Sequence, residues 1–203
     1  MILPRLYAIV DSSAHDSTRA LLAYADELAA AGCTLLQYRN KSGNVRMMLE
    51  QARALKKHLG NSTRLIMNDR ADLCLAANFD GVHVGQDDLS AESVRSIIGP
   101  DRWLGVSTHN PEQLRSADAS PADYLAIGPV FATSSKQNPD PVVGLDGVRR
   151  ARQLTRKPLV AIGGITRTNA TSVIEAGADS VAVISDLLRA PRKSAEEFFR
   201  ILR

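Results

Sequence analysis

"CTLLQYRNKS" (33–42) decides how this chain folds. Residues 34–39 read as a strand, with Leu35 and Leu36 buried on opposite faces, as in a parallel strand covered on both sides. The strand then ends in Gln37, Arg39 and Lys41. These three alternate, so they project from one face. A strand that is apolar at its start and cationic at its end belongs in an architecture that puts function at strand ends.

The same pattern recurs along the chain. Strands are expected at 6–11, 64–69, 81–85, 103–107, 124–128, 158–164 and 180–185. Helical spacing of Leu and Ala fills 17–32 and 44–60, and each run stops at a glycine, Gly32 or Gly60, as a helix C-cap does. "NATSVIEAGA" and "SAEEFFRILR" supply the last two helices. Eight strands alternating with helices in 203 residues predict an α/β fold, a single-domain (β/α)8 TIM barrel over 1–203. The alternative is a doubly wound open sheet, but no GxGxxG turn follows the first strand. No Pro/Gly-rich linker divides the chain.

Composition agrees. Hydrophobic residues are 44% and aromatics 4%, so Ala, Leu, Val and Ile fill the core. A net charge of +3 is mild, and no basic stripe with interleaved aromatics points to nucleic acid. No run approaches the roughly 20 apolar residues of a membrane span. "MILPRLYAIVDSS" runs straight into a strand without the pattern of a secretory leader, and Cys33 and Cys74 lie in apolar segments, as reduced core thiols do. A cytoplasmic protein with small-molecule substrates is expected.

In a (β/α)8 barrel the active site lies at the C-terminal strand ends. Arg39 and Lys41 can hold an anionic oxygen cluster, one as a planar fork and the other as a point charge. Asn68-Asp69 ends the third strand and Asp87-Asp88 follows the fourth, so Asp69 and Asp88 should meet at the rim and suit a Mg²⁺ that completes its shell with phosphate and water. Both could equally cap the helices that follow. A second anion site is expected from "GPVFATSSKQNPDPVVG" (128–144), which offers Thr133, Ser135 and Lys136. Gly163 and Gly164 would bring bare backbone to a phosphate at a helix N-terminus, and Ser185 adds a donor. His83, between Val82 and Val84, reads as core. His109 fits the mouth or a helix start, His15 and His58 read as surface, and Trp103 as packing. No Ser-His-Asp or Cys-His nucleophile pattern is visible in the sequence.

The ordered set "QYRNK", "ND", "HVGQDD", "LGVS", "GPVFATSSK", "AIGGI" and "VIS" resembles the thiamine-phosphate synthase family over nearly the whole chain. The resemblance implies a Mg²⁺-dependent transferase that joins a pyrimidine methyl diphosphate to a thiazole phosphate, releasing pyrophosphate. It implies that Gln37, Arg39, Lys41 and Asn68 hold the pyrimidine diphosphate, with Tyr38 and Asn40 in the same binding stretch. Asp69 and Asp88 would bind Mg²⁺. Ser107 and Lys136 would sit at the reacting diphosphate, making Arg39, Lys41, Ser107 and Lys136 the catalytic set. Thr133, Ser134, Ser135, Gly164, Ile184 and Ser185 would cradle the thiazole phosphate. Asn40 and Ser135 depart from the Asp and Thr common in the family. A related thiazole tautomerase carries His where this chain has Pro129, which disfavours that activity. A non-catalytic phosphate-binding barrel would not need the Asp69/Asp88 pair.

Overall fold

The structure, a computed structural model, describes residues 1–60, 62–133 and 140–203. The strands are β1 (Leu6–Asp11), β2 (Leu35–Arg39), β3 (Arg64–Asn68), β4 (Gly81–Val84), β5 (Trp103–Thr108), β6 (Tyr124–Ile127), β7 (Leu159–Ile162) and β8 (Ser180–Val183). The helices are α1 (Thr18–Ala30), α2 (Val45–Leu59), α3 (Ala71–Ala76), α4 (Ala91–Ile98), α5 (Pro111–Ala119), α6 (Gly144–Leu154), α7 (Ala170–Glu175) and α8 (Pro191–Ile201). The strands pair in parallel, in chain order. β1 also pairs with β8, so the sheet closes and the open-sheet alternative falls.

Period-two alternation sorts the core into two layers. Leu36 and Tyr38 face outward into the apolar layer beneath the helices. Tyr7, Ile9, Leu35, Ile66, Tyr124, Ala126, Val160 and Ala182 fill the barrel interior. Helix α1 buries Leu21, Tyr24, Ala25 and Leu28, the helical spacing read from the sequence. Full burial of each such leucine contributes about 1.5–3 kcal/mol. The side chains of Ser17, Asn44, Ser90 and Asn110 cap α1, α2, α4 and α5, each worth about 1 kcal/mol. Past the ends of α1 and α2, Gly32 and Gly60 take φ of 99° and 60°, as their reading as helix stops requires.

The N-terminal end of the barrel is tied by a device that repeats every second strand. Asp80, Asp123 and Asp179 each precede an even-numbered strand. Each accepts a backbone N–H from the preceding strand, from Leu65 at 2.8 Å, Leu104 at 2.7 Å and Leu159 at 2.8 Å. Each also binds a helical cation: Lys56 at 3.0 Å, Arg95 at 2.6 Å and Arg152 at 2.9 Å. One carboxylate thereby joins two strands and a helix. At the same end the Arg64 guanidinium stacks 4.0 Å over Trp103, in keeping with a packing role for that ring. Among the described residues no helix is long and apolar enough to cross a membrane.

Candidate active site

The first four strands deliver a charged rim. Asp11 and Arg39 are register partners at the ends of β1 and β2. Their side chains form an ion pair, with Asp11 only 5% exposed. Asp11 also accepts from the Ser13 N–H at 3.0 Å and the Ser13 hydroxyl at 2.7 Å. Sequence reasoning missed Asp11, although its position as a strand-terminal acid is the signal that singled out Asp69. Lys41, half-exposed, pairs with Asp69. The Asn68 amide donates to the same carboxylate at 2.6 Å. Gln37, Arg39 and Lys41 thus share the inner face, as their alternation requires.

Asp69 and Asp88 line one cleft of about 250 Å³. Neither caps a helix: α3 has Arg70 at its N-cap without a side-chain bond, and α4 is capped by Ser90. Asp88 instead accepts from the Gly85 N–H at 2.8 Å. Asp69 has a left-handed backbone, φ 62°, uncommon for a non-glycine residue. Burial holds its carboxyl above the usual carboxylate range; the Lys41 hydrogen bond opposes this and the nearby Asp88 charge adds to it. A carboxylate whose ionisation is opposed by burial and by a neighbouring acid is relieved by a cation, so the pair fits a divalent ion. Among the described residues no cluster of three or more His, Cys, Asp or Glu could hold a metal, so such an ion would draw its other ligands from substrate and water.

Beneath this rim runs a buried polar chain that the sequence did not reveal. Gln37 Nε2 donates to the Tyr7 hydroxyl at 2.9 Å, and the Tyr7 and Tyr124 hydroxyls are 3.1 Å apart. His83 Nδ1 lies 3.0 Å from the Tyr124 hydroxyl, and its Nε2 lies 2.8 Å from Ser107 Oγ. His83 is buried, as expected, but it also contacts a candidate catalytic serine. The Ser-His pairing that sequence reasoning did not find therefore exists. It is a poor nucleophile-activating pair, because a phenol rather than a carboxylate holds the far nitrogen. Desolvation also lowers the imidazole to about 4, below the range useful to a general base.

The later strands build a different rim. Gly163 and Gly164 have φ of 99° and 64°. A Cβ on Gly164 would come within 2.5 Å of the Ala132 carbonyl oxygen, so glycine is needed for the loops after β6 and β7 to pack together. Asn169 fastens this loop, donating to the Gly164 carbonyl at 3.0 Å and accepting from the Thr166 N–H at 2.8 Å. Arg167, unnoticed in the sequence, ties the loop to Asp186 in the turn after β8 at 2.9 Å. No helix starts directly after the glycines. The chain turns through residues 166–169 before the short α7 begins, so only loop amides can meet a phosphate here. Ile184 packs against the barrel interior and Ser185 is exposed beside it. Thr133 stands at the start of the long loop, whereas Ser134, Ser135 and Lys136 lie outside the described residues. His109 joins the two stems of that loop, meeting the Gly128 carbonyl at 2.5 Å and Asp140 at 3.4 Å.

Two expected binding side chains are not at the mouth. Tyr38 points outward and donates to Gln51 Oε1 on α2 at 2.6 Å. Asn40 donates to Gln51 Oε1 and to the Tyr38 hydroxyl, both at 3.0 Å. Alternation explains Tyr38: with Gln37 and Arg39 inward, it must face the helices. His15 is half-buried, its ring 4.7 Å from that of Tyr24 and its Nε2 enclosed.

The closed eight-stranded parallel barrel and its polar mouth place the chain among the (β/α)8-barrel enzymes. The family described as Thiamine monophosphate synthase matches residues 6–187, and the chain belongs to that family. It is 62% identical to a thiamine-phosphate synthase of Koribacter versatilis, over 98% of this chain and 96% of that protein. Identity to the thiamine-phosphate synthase of Chloroflexus aurantiacus is 44%, over 92% and 86% of the two chains. Among solved structures, thiamine phosphate pyrophosphorylase from Pyrococcus furiosus superposes with a TM-score of 0.87 at 32% identity, covering 98% of this chain and 95% of that one. The activity is that of a transferase of thiamine biosynthesis.

Proposed function

We propose that the chain joins a pyrimidine methyl diphosphate to a thiazole phosphate by a dissociative, Mg²⁺-assisted transfer. Gln37, Arg39, Lys41 and Asn68 bind the pyrimidine diphosphate. Asp69 and Asp88 hold the ion, which when bound neutralises charge on the leaving diphosphate. Arg39, Lys41, Ser107 and Lys136 add donors to the same oxygens. Thr133, Ser134, Ser135, Gly164, Ile184 and Ser185 receive the phosphate of the thiazole. The methylene C–O bond breaks with its electron pair leaving on diphosphate, and the thiazole nitrogen lone pair then forms the new C–N bond to the methylene cation. No protein nucleophile is needed, and the weakly basic His83 accords with that. Cys33 and Cys74, both free, buried and pushed up to about 12, accord with a cytoplasmic protein.

The observation that carries this reading is the juxtaposition of Asp69, Asp88 and Lys41, with the Arg39–Asp11 pair at the ends of the adjoining strands, a site for a cation and a polyanion together. The test is an assay of the two precursors with and without Mg²⁺, following pyrophosphate. Mg²⁺-dependent release in step with thiamine phosphate supports the proposal. Full activity in chelator removes the metal role. Single-turnover rates that ignore an electron-withdrawing substituent on the pyrimidine replace the dissociative path with direct displacement.

A further inference from the structure

The chain from Gln37 through Tyr7, Tyr124 and His83 to Ser107 draws on β2, β1, β6, β4 and β5 and spans the barrel interior. One end, Ser107, is half-buried near the C-terminal end of β5, and the other, Gln37, is buried one strand step beneath Arg39. Its members have few alternatives. Tyr7 and Tyr124 are wholly enclosed, and the described residues offer their hydroxyls no partners outside the chain. The backbone makes room for it at Gly105. A Cβ there would lie 2.1 Å from Tyr124 Cζ, 2.3 Å from His83 Nδ1 and 2.4 Å from the Tyr124 hydroxyl, at the centre of the chain. The inward position of β5 is left without a side chain where the phenol meets the imidazole.

Hydrogen-bond bookkeeping gives the chain a direction. Gln37 Nε2 donates, so the Tyr7 oxygen accepts. The Tyr7 proton then has only Tyr124 to go to, and the Tyr124 proton only His83 Nδ1. A ring that accepts at Nδ1 carries its proton on Nε2 and donates it to Ser107 Oγ. The Ser107 hydroxyl proton is then left for something outside the chain. We propose that His83, Tyr124 and Tyr7 are positioning residues that lock His83 as the Nε2–H tautomer and so oblige Ser107 to act as a donor toward the mouth. Reversed polarity would turn the Ser107 proton inward and present only lone pairs, which repel an anionic oxygen. The direction of a buried chain therefore decides whether β5 attracts or rejects the leaving group. The lowered basicity of the enclosed imidazole keeps the ring neutral, as a fixed tautomer requires. The functional consequence rests on the role proposed above for Ser107; the tautomer itself does not.

The test reads the tautomer directly, by ¹⁵N NMR of His83 in the substrate-free protein. Wild type should show the Nε2–H pattern. Gln37→Glu, read above the pH at which the new buried carboxyl ionises, replaces the donor that starts the chain with a carboxylate that only accepts. Tyr7 must then donate to it, and every bond downstream turns round, giving the Nδ1–H pattern. An Nδ1–H or averaged ring in wild type overturns the proposal, and so does any pattern other than Nδ1–H in folded Gln37→Glu. The wild-type spectrum decides alone if that variant does not fold. In turnover, Ser107→Ala should cost roughly 10–100-fold in wild type and little more in Gln37→Glu, where the serine proton is already lost to the mouth. Additive losses would also overturn it. The expected tautomers in a protein that forms no thiamine phosphate would count against the reaction while leaving the chain intact.

Discussion

Asp80, Asp123 and Asp179 at one end of the barrel, and Asp11, Asp69 and Asp88 at the other, are all strand-terminal or loop acids. At the N-terminal end each carboxylate binds a backbone N–H of the neighbouring strand and a cation on a helix. At the C-terminal end Asp11 is anchored by Ser13 and holds Arg39, but Asp69 sits on a left-handed backbone beside a second acid. The pairs look alike as contacts. One set spends its hydrogen bonds on joining elements, and the other leaves unfavourable charge for a ligand to relieve. Local cost at a site, offset by the rest of the fold, is what distinguishes function from support here. The N-termini of α1, α2, α4 and α5 are capped by side chains, whereas α3, directly after Asp69, and α6, α7 and α8 have no side-chain cap.

Mutation can break this comparison. The largest effect is expected at the functional end. Asp88→Asn keeps an acceptor for Gly85 but loses the charge, so turnover should fall on the order of 10²-fold. The Mg²⁺ needed for half activity should rise, with stability within about 0.5 kcal/mol of wild type. Wild-type turnover at the wild-type Mg²⁺ requirement would remove Asp88 from the metal site. Asp123→Ala should do the opposite. Stranding the Leu104 N–H and Arg95 should cost about 1–3 kcal/mol in denaturant melts, with turnover of the folded enzyme unchanged. A turnover loss without destabilisation would erase the division between the ends.

A smaller loss, roughly 10-fold in kcat/KM, is expected for Asp11→Asn, because Arg39 keeps its charge but loses its fixed position. Equal losses in Asp11→Asn and Arg39→Ala would instead make the ion pair, not the arginine alone, the functional unit. The smallest effect is on stability at Asp69. Its folded pKa is raised, so the favourable contribution is present below the ordinary carboxylate pKa and is lost as pH rises through the higher folded value. Asp69→Asn never ionises. In metal-free protein it should match wild type at acid pH and melt higher near pH 7, while losing activity. A lower melting temperature at neutral pH would contradict the strain assigned to this carboxylate.

Much of this was legible in the sequence. β1 runs over the six residues that alternation and apolar content marked, and most other strand ends moved by one or two residues. The facing of Gln37, Arg39 and Lys41, and the meeting of Asp69 with Asp88, follow from two local rules: side chains alternate along a strand, and neighbouring strands in a parallel barrel end side by side. Tyr38 was misplaced because motif membership overrode that alternation. The polar chain was out of reach, since Tyr7 and Tyr124 lie 117 residues apart and His83 and Ser107 lie 24 apart. The basal clamps were half visible: an acid precedes each even strand from β4 onward, but its cation lies 24 to 28 residues upstream on a helix.

The sequence by itself determined the barrel, because apolar periodicity and turn chemistry act over a few residues and eight repeats leave one economical way to bury them. Only the tertiary structure decided what each polar side chain does. Closure of the sheet sets which hydroxyl meets which imidazole, whether an aspartate is answered by a backbone N–H or by another acid, and so which charges the fold satisfies and which it leaves for a substrate.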